Sequence, residues 1–300
     1  MTTSRKLAYS ALLVNAIIWG AAFPIVKPVF DYISPLQYLY LRFLVAGLIS
    51  MPIFLYYYFK VRPKISYILK VLLIELGGSA LPLLILYEGL SKTSALEASL
   101  IGSTGPIFVV LGGVFFLREK ETKNEWKGLL LSVLGSLILI FEPIWNGHGL
   151  IGSSLAGNLY ILAYNFLYTI YVVIAKKTYR SKPPLYLGSL TYLGIALIYG
   201  FILNIQNSLP DLMNMTDLMN YKILIPILYM AIPGGIIAFA LYLYAQSKIE
   251  VSEANLFTYV NGIVAIPASF LLLGEVPSLT TILAILIIAY GVYTAEIRKS

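Results

Sequence analysis

The chain has 300 residues, 59% of them hydrophobic and only 12% charged, and its mean hydropathy is +0.84. So little charge excludes an ordinary soluble domain, in which about a quarter of the residues are charged. With no cysteine and a single histidine, His148, the composition also excludes disulfides, thiol chemistry and Cys/His metal sites, and neither a cofactor nor a metal is expected.

Apolar runs long enough to cross a hydrocarbon core of ~30 Å recur along the whole length. In chain order they predict helices at 7–26, 36–59, 69–90, 96–117, 126–142, 155–175, 184–204, 222–245, 253–273 and 279–297, with short connections except at 205–221. The first run continues to Val26 without a small-residue cleavage site, so it reads as a spanning helix rather than a signal peptide. Pro35, Pro184 and Ser278 mark helix starts.

The net charge of +7 does not point to nucleic acid, because the basic residues sit in short clusters between apolar runs. With the N-terminus inside, 17 of the 21 basic residues fall on the inner side. Only Lys27, Lys92 and Lys222 fall outside, and Arg42 lies within a helix. That asymmetry follows the positive-inside rule and places both termini on the cytoplasmic face of the cell membrane.

The chain also repeats itself. Residues 88–119 align without gaps to 244–275, pairing Ser91 with Ser247, Lys92 with Lys248, Glu97 with Glu253, Ala98 with Ala254 and Glu119 with Glu275. The same offset of 156 pairs Gly78 with Gly234 and Gly135 with Gly291. Earlier in the chain an offset of 149 pairs Lys27 with Lys176 and Pro35 with Pro184, the difference being absorbed by the 205–221 loop. Each half, 1–146 and 147–300, holds five helices, and an odd number makes the second copy enter the membrane from the opposite side. The expected fold class is therefore an all-α integral membrane protein of ten transmembrane helices, built as two inverted five-helix repeats.

Several segments resemble the ten-helix EamA-type branch of the drug/metabolite transporter superfamily. They are Trp19-Gly20 with Phe23 and Lys27, Ser34-Pro35 followed by Arg42-Phe43 and Ala46, Ala98 with Pro106 and Glu119, and the closing Leu273-Gly274-Glu275. Gly262 stands where the second repeat of that family usually has proline. The resemblance implies export or exchange of amino acids and other small metabolites by alternating access.

A transporter site lies near the midplane, on interrupted helices. Counting ~1.5 Å per residue from the helix ends brings Asn15, Trp19, Ser79, Ser103, Asn165, Tyr168, Tyr259 and Asn261 to similar depth, together with Gly77-Gly78, Pro82 and Pro233-Gly234-Gly235. Two readings stand for most of them. Asn15 and Asn165 either line a cavity or tie helices together. Trp19, Tyr168, Tyr259 and Asn261 either touch cargo or pack, and Ser103 and Thr104 either face the cavity or bond back to their own helix. Arg42 either neutralises an anionic substrate or pairs within the protein. Glu75 and Glu88 either snorkel or titrate, the latter making a proton the candidate coupling ion. Glu97 and Glu253 suit helix N-termini, whereas Glu119 and Glu275 close helices against the dipole and need backbone or basic partners. Many of the tyrosines, such as Tyr56-Tyr57-Tyr58 and Tyr221, read as an interfacial belt, and Asn214-Met215-Thr216 matches a glycosylation sequon.

The leading expectation is a secondary transporter of a small organic solute, partnered by the lipid bilayer and by its substrate. No G-x-x-x-x-G-K-[ST] loop is present to make it an ATPase. An intramembrane enzyme lacks the nucleophile, base or metal set it would need. A non-transporting membrane protein or a lipid scramblase is the alternative.

Overall fold

The computed structural model describes residues 3–105, 107–108, 123–145, 153–179, 184–208, 220–249 and 251–296. Among the described residues every regular element is a helix. The first span comprises α1 (Thr3–Gly20), α2 (Ala22–Val26) and a 3-10 turn over Lys27–Asp31, where Pro28 cannot donate to the ladder. The second is α3 (Pro35–Val61). The third is α4 (Ile65–Glu75) and α5 (Leu81–Lys92), joined by a π-helical segment over Leu76–Ala80. Then follow α6 (Ala95–Ser103), α7 (Lys123–Trp145), α8 (Ser153–Tyr179) and α9 (Pro184–Ile205). A second interrupted span consists of α10 (Tyr221–Ala231), a π-helical segment over Ile232–Ile237, and α11 (Ala238–Gln246). α12 (Val251–Leu273) and α13 (Leu279–Glu296) complete the order.

The helices are longer at their ends than hydropathy alone predicts, because polar caps extend them beyond the apolar run. Ser34 and Gln37 form a capping box at the start of α3, with Pro35 at the first helical position. Such a box is worth about 1 kcal/mol. At the other end α3 stops before Pro63, and Arg62 turns the chain in the left-handed conformation at φ 46°. Pro106, Arg118, Glu119, His148 and the sequon lie outside the described residues, as does the side chain of Glu253.

Among the described residues five helices are long and apolar enough to cross a membrane: Arg5–Asp31, Pro35–Lys60, Ile65–Lys92, Tyr186–Ile205 and Tyr221–Ala245. Phe257–Leu273 and Leu279–Gly291 are shorter apolar helices. The outer surface matches that setting. Leu271, Leu279 and Leu197 are 78%, 81% and 72% exposed, a surface that suits lipid and not water.

Lipid tails are as apolar as leucine, so contacts between these helices rest on close packing of small residues. α7 lies against α13, α3 against α9, α5 against α8, and α1 against both α11 and α12. α6 packs on α8 and α12, α10 on α3, and α9 on α4. At the α5–α8 crossing a Cβ built on Gly89 would come within 2.8 Å of the Gly157 carbonyl oxygen, and one built on Gly157 within 2.8 Å of the Gly89 carbonyl oxygen. At the α1–α11 crossing Ala8 and Ala245 are fully buried together with Leu12. The α7–α13 crossing is reciprocal: Gly135 is pressed on Ala284 and Ile288, and Gly291 on Gly128 and Ser132.

Candidate functional site

The two π-helical segments occupy the interiors of the third span and of the span that contains α10 and α11. Their sequences, Leu76-Gly77-Gly78-Ser79-Ala80 and Ile232-Pro233-Gly234-Gly235-Ile236-Ile237, explain the distortion, since Gly and Pro weaken the regular ladder. A widened turn exposes carbonyls, which need donors inside a membrane. Side chains from distant spans supply them. The Trp19 indole donates from Nε1 to the Gly234 oxygen at 2.8 Å, and Asn15 donates from Nδ2 to the Ala238 oxygen at 2.8 Å. The Tyr199 hydroxyl donates to the Ala80 oxygen at 2.7 Å. In the reverse direction the Tyr229 hydroxyl donates to the Ile18 oxygen of α1 at 2.7 Å.

A second meeting point is the end of α6. Ser103 and Thr104 bond back to the carbonyls of Leu100 and Ile101 at 2.7 and 2.6 Å. Asn165 of α8 adds its Nδ2 to the Ile101 oxygen at 2.9 Å and lies beside Gly105. From the opposite side α12 brings Gly262 against Ser103, where a Cβ would stand 2.9 Å from the hydroxyl oxygen. Asn261, next in the chain, has a buried Oδ1 that has no hydrogen-bond partner among the described residues. The structure thus gathers Ser103 and Asn165 around α6, sets Asn261 beside Gly20 of α1, and gathers Asn15 and Trp19 around the second π segment. Ser79 lies within the first π segment, half-buried, and Tyr259 is half-buried on α12.

Arg42 and Glu75 anchor a third group. The Arg42 guanidinium donates from Nη1 to the Tyr87 hydroxyl at 2.8 Å and lies 5.1 Å from the Phe43 ring centre. Tyr38, Tyr192 and Tyr199 are close enough to act on it electrostatically. Along α8 the rings of Tyr164, Tyr168 and Tyr171 follow one another at 5.4 and 5.7 Å, the i, i+4, i+7 positions of one helical face. The Tyr171 hydroxyl donates to Glu75 Oε1 at 2.8 Å, and Glu75 is fully buried. Tyr168, between the other two rings on this stripe, is 39% exposed. Of these tyrosines the sequence reading singles out Tyr168 alone. The signal that could have found others is their spacing: Tyr38 and Arg42 are four apart on α3, and the three α8 tyrosines share a stripe.

Glu88 stands apart from all three groups. It pairs with Lys92 at 2.8 Å, one turn on, near the end of α5. A cleft of about 370 Å³ lies between α4 and α8, lined by Lys70, Gly77, Gly78, Leu167 and Tyr171 among others. Of the residues singled out by sequence only Gly77 and Gly78 line it, whereas Glu75, Ser79 and Tyr168 neighbour its walls in sequence.

At one end of the bundle, charges cap helix ends across long sequence separations. Lys27 donates to the last carbonyls of α5, at Leu90 and Ser91, at 2.8 and 2.9 Å. Glu275 accepts from the amides of Ala95 and Leu96 at 3.0 and 2.7 Å. Each charge complements the dipole it meets. Gly274, at φ 68°, makes the turn that aims Glu275 there, which gives the Leu273-Gly274-Glu275 segment a structural reason. Glu97 is held by Thr93 and by Asn158 at 2.6 and 2.9 Å, and Glu142 by Ser278 and Thr281.

A multi-pass bundle, helical throughout its described residues and interrupted inside two of its spans, has the build of a membrane transport protein. The EamA-like transporter family matches residues 6–141 and again residues 155–295, and the chain belongs to that family. It is 27% identical over 293 residues to the uncharacterized transporter YdfC of Bacillus subtilis (strain 168), covering 96% of this chain and 91% of the relative. It is 24% identical to a probable amino-acid metabolite efflux pump of Salmonella typhimurium, covering 97% and 94% of the two chains. To the uncharacterized inner membrane transporter YedA of Escherichia coli (strain K12) it is 25% identical, covering 97% and 91%. One crystal structure superposes with a TM-score of 0.65 over 96% of both chains at 17% identity, a likeness of fold.

Proposed function

We propose that the chain is a secondary transporter that exports small organic metabolites such as amino acids, by alternating access around a midplane cavity between two inverted five-helix repeats, 1–146 and 147–300. The observation that carries this reading is the pair of π-helical breaks. They begin at Leu76 and Ile232, the same offset of 156 that aligns the repeats in sequence, one in each segment matched by the family. Interrupted helices in corresponding positions of two halves are the build of a transporter site.

The helix pairings support the two-fold relation. Exchanging the halves turns the α5–α8 crossing into α11–α1, the α6–α8 contact into α12–α1, and the α3–α10 contact into α9–α4. The α7–α13, α3–α9 and α6–α12 contacts map onto themselves. Asn15, Trp19, Ser79, Ser103, Asn165, Tyr168, Tyr259 and Asn261 form the walls, and the breaks give one half the freedom to rock against the other. Glu75, buried and bonded by Tyr171, is the carboxylate placed to couple transport to protons. The relatives' names, which include an amino-acid metabolite efflux pump and an inner membrane transporter, support export across the cell membrane.

Counterflow in proteoliposomes with a panel of amino acids and nucleosides tests the proposal. Wild type is expected to exchange at least one of them, and Asn15→Ala and Asn165→Ala to slow that exchange. No exchange of any panel member removes the transporter reading. Unchanged flux in both variants removes the site.

A further inference from the structure

We infer that Arg42 and Tyr38 form an anion subsite that receives a carboxylate of the cargo, so that the transported molecule carries a negative group; this rests on the transporter reading above. Arg42 is seven residues into α3, about 10 Å from its start. A guanidinium at that depth demands a partner. It has five N–H donors, and among the described residues it makes one hydrogen bond, to the neutral Tyr87 hydroxyl. The groups that face it from the surrounding helices are Tyr38, Tyr87, Tyr192 and Tyr199, and no carboxylate is among them. Its side chain is half-buried, and Tyr87 takes up only one of its donors.

An independent observation points to the same place. The Tyr38 hydroxyl is fully buried and, Tyr87 aside, has no hydrogen-bond partner among the described residues. Its ring lies 5.2 Å from that of Tyr87, which holds Arg42. A buried hydroxyl whose proton lacks a full acceptor costs free energy. One anion bound between the guanidinium and Tyr38 satisfies both groups. The planar fork of arginine fits a carboxylate with two parallel hydrogen bonds, which a point charge would not use. Phe43 and Tyr192, whose rings lie 6.0 Å apart, offer an apolar wall for the rest of such a molecule.

The full chain purified in detergent is tested by ligand-induced melting shifts with L-phenylalanine, 3-phenylpropanoate and L-phenylalaninamide. These probes separate an amino-acid carboxylate, a bare carboxylate and the same skeleton without one. The two carboxylates are expected to raise the melting temperature and the amide to leave it unchanged. Arg42→Gln should weaken carboxylate binding at least about 10-fold, Arg42→Lys should restore part of it, and Tyr38→Phe should weaken it several-fold. If Arg42→Gln does not fold, Tyr38→Phe carries the test. Equal shifts with acid and amide, no shift with either carboxylate, or wild-type shifts in both folded variants overturn the subsite. Proteoliposome counterflow of the same probes separates the two readings. Binding without flux removes the transporter and keeps the subsite, whereas flux of the amide as fast as the acid removes the subsite and keeps the transporter.

Discussion

Trp19 of α1 and Gly234 of the second π segment, 215 residues apart in sequence, are joined by a 2.8 Å hydrogen bond from the indole to the carbonyl. The break in the ladder frees the carbonyl, and the indole supplies its donor. The ring also packs on Tyr242 with centroids 5.7 Å apart. Trp19→Phe retains the packing and removes only the donor. A melting temperature lowered by a few degrees, equivalent to about 1 kcal/mol, is expected, together with slower counterflow. A variant identical to wild type in both measurements would reduce Trp19 to a packing residue.

Two adjacent glycines in the first π segment have opposite expectations. A Cβ on Gly78 would come within 2.1 Å of Tyr171 Cδ2, whereas one on Gly77 meets nothing within 4 Å. Gly78→Ala therefore displaces the ring that donates to Glu75, and a loss of about 1–3 kcal/mol is expected. Gly77→Ala should be neutral or slightly stabilising, by at most about 1 kcal/mol. Detergent melting curves of the two variants decide it, and equal losses would contradict the packing described.

What could be read from sequence, and what could not, divides along physical lines. Local chemistry is legible: Ser34-Pro35 with Gln37 announces a capped helix start, and Gly77-Gly78 and Pro233-Gly234-Gly235 announce breaks in their helices. Partners are not legible, because they depend on where distant spans cross. Glu275 was expected to need a backbone or basic partner, but its actual amides, at Ala95 and Leu96, are 180 and 179 residues away. The tyrosines around Arg42 are the clearest case. Nothing local singles out Tyr87 and Tyr199, and only the crossing of three helices brings them to one guanidinium.

At the α7–α13 crossing a Cβ on Gly291 would lie 2.5 Å from Ser132 Oγ, 2.7 Å from the Gly128 oxygen and 2.8 Å from the Ser132 amide nitrogen. Two of these three atoms belong to the backbone, so no rotamer change relieves the clash. Gly291→Ala should separate the pair at a cost of about 1–3 kcal/mol, seen as a lower melting temperature and poorer yield of monodisperse protein. The partner variant Gly135→Ala should behave alike, and a tolerated alanine at both positions would argue against the crossing.

The absence of cysteine makes topology directly measurable. Ten crossings place Ser208 outside and Ser247 inside. Single variants Ser208→Cys and Ser247→Cys, treated with a membrane-impermeant maleimide on intact cells, should label at the first position and only after permeabilisation at the second. Labelling of both from the same face would remove the inversion of the second repeat and the central cavity proposed with it.

The turn between α5 and α6 is gripped from both sides, by Lys27 on the carbonyls of Leu90 and Ser91 and by Glu275 on the amides of Ala95 and Leu96. Lys27 and Glu275 also attract each other. Lys27 grips from within the first half, whereas Glu275 joins the two halves; if one half rocks against the other, the Glu275 cap must release whenever this end opens, and weakening it favours the open arrangement. Hydrogen bonds to a charged group are worth about 1.5–3 kcal/mol each. Glu275→Ala removes two, and a rise of at least about 10-fold in the open population is expected. The readout is the rate at which Ser91→Cys, half-buried in wild type, reacts with an impermeant maleimide. Glu275→Gln, which keeps one neutral acceptor, should fall between wild type and alanine. A labelling rate unchanged by either substitution would mean that this end moves without releasing Glu275, and that the carboxylate only caps α6.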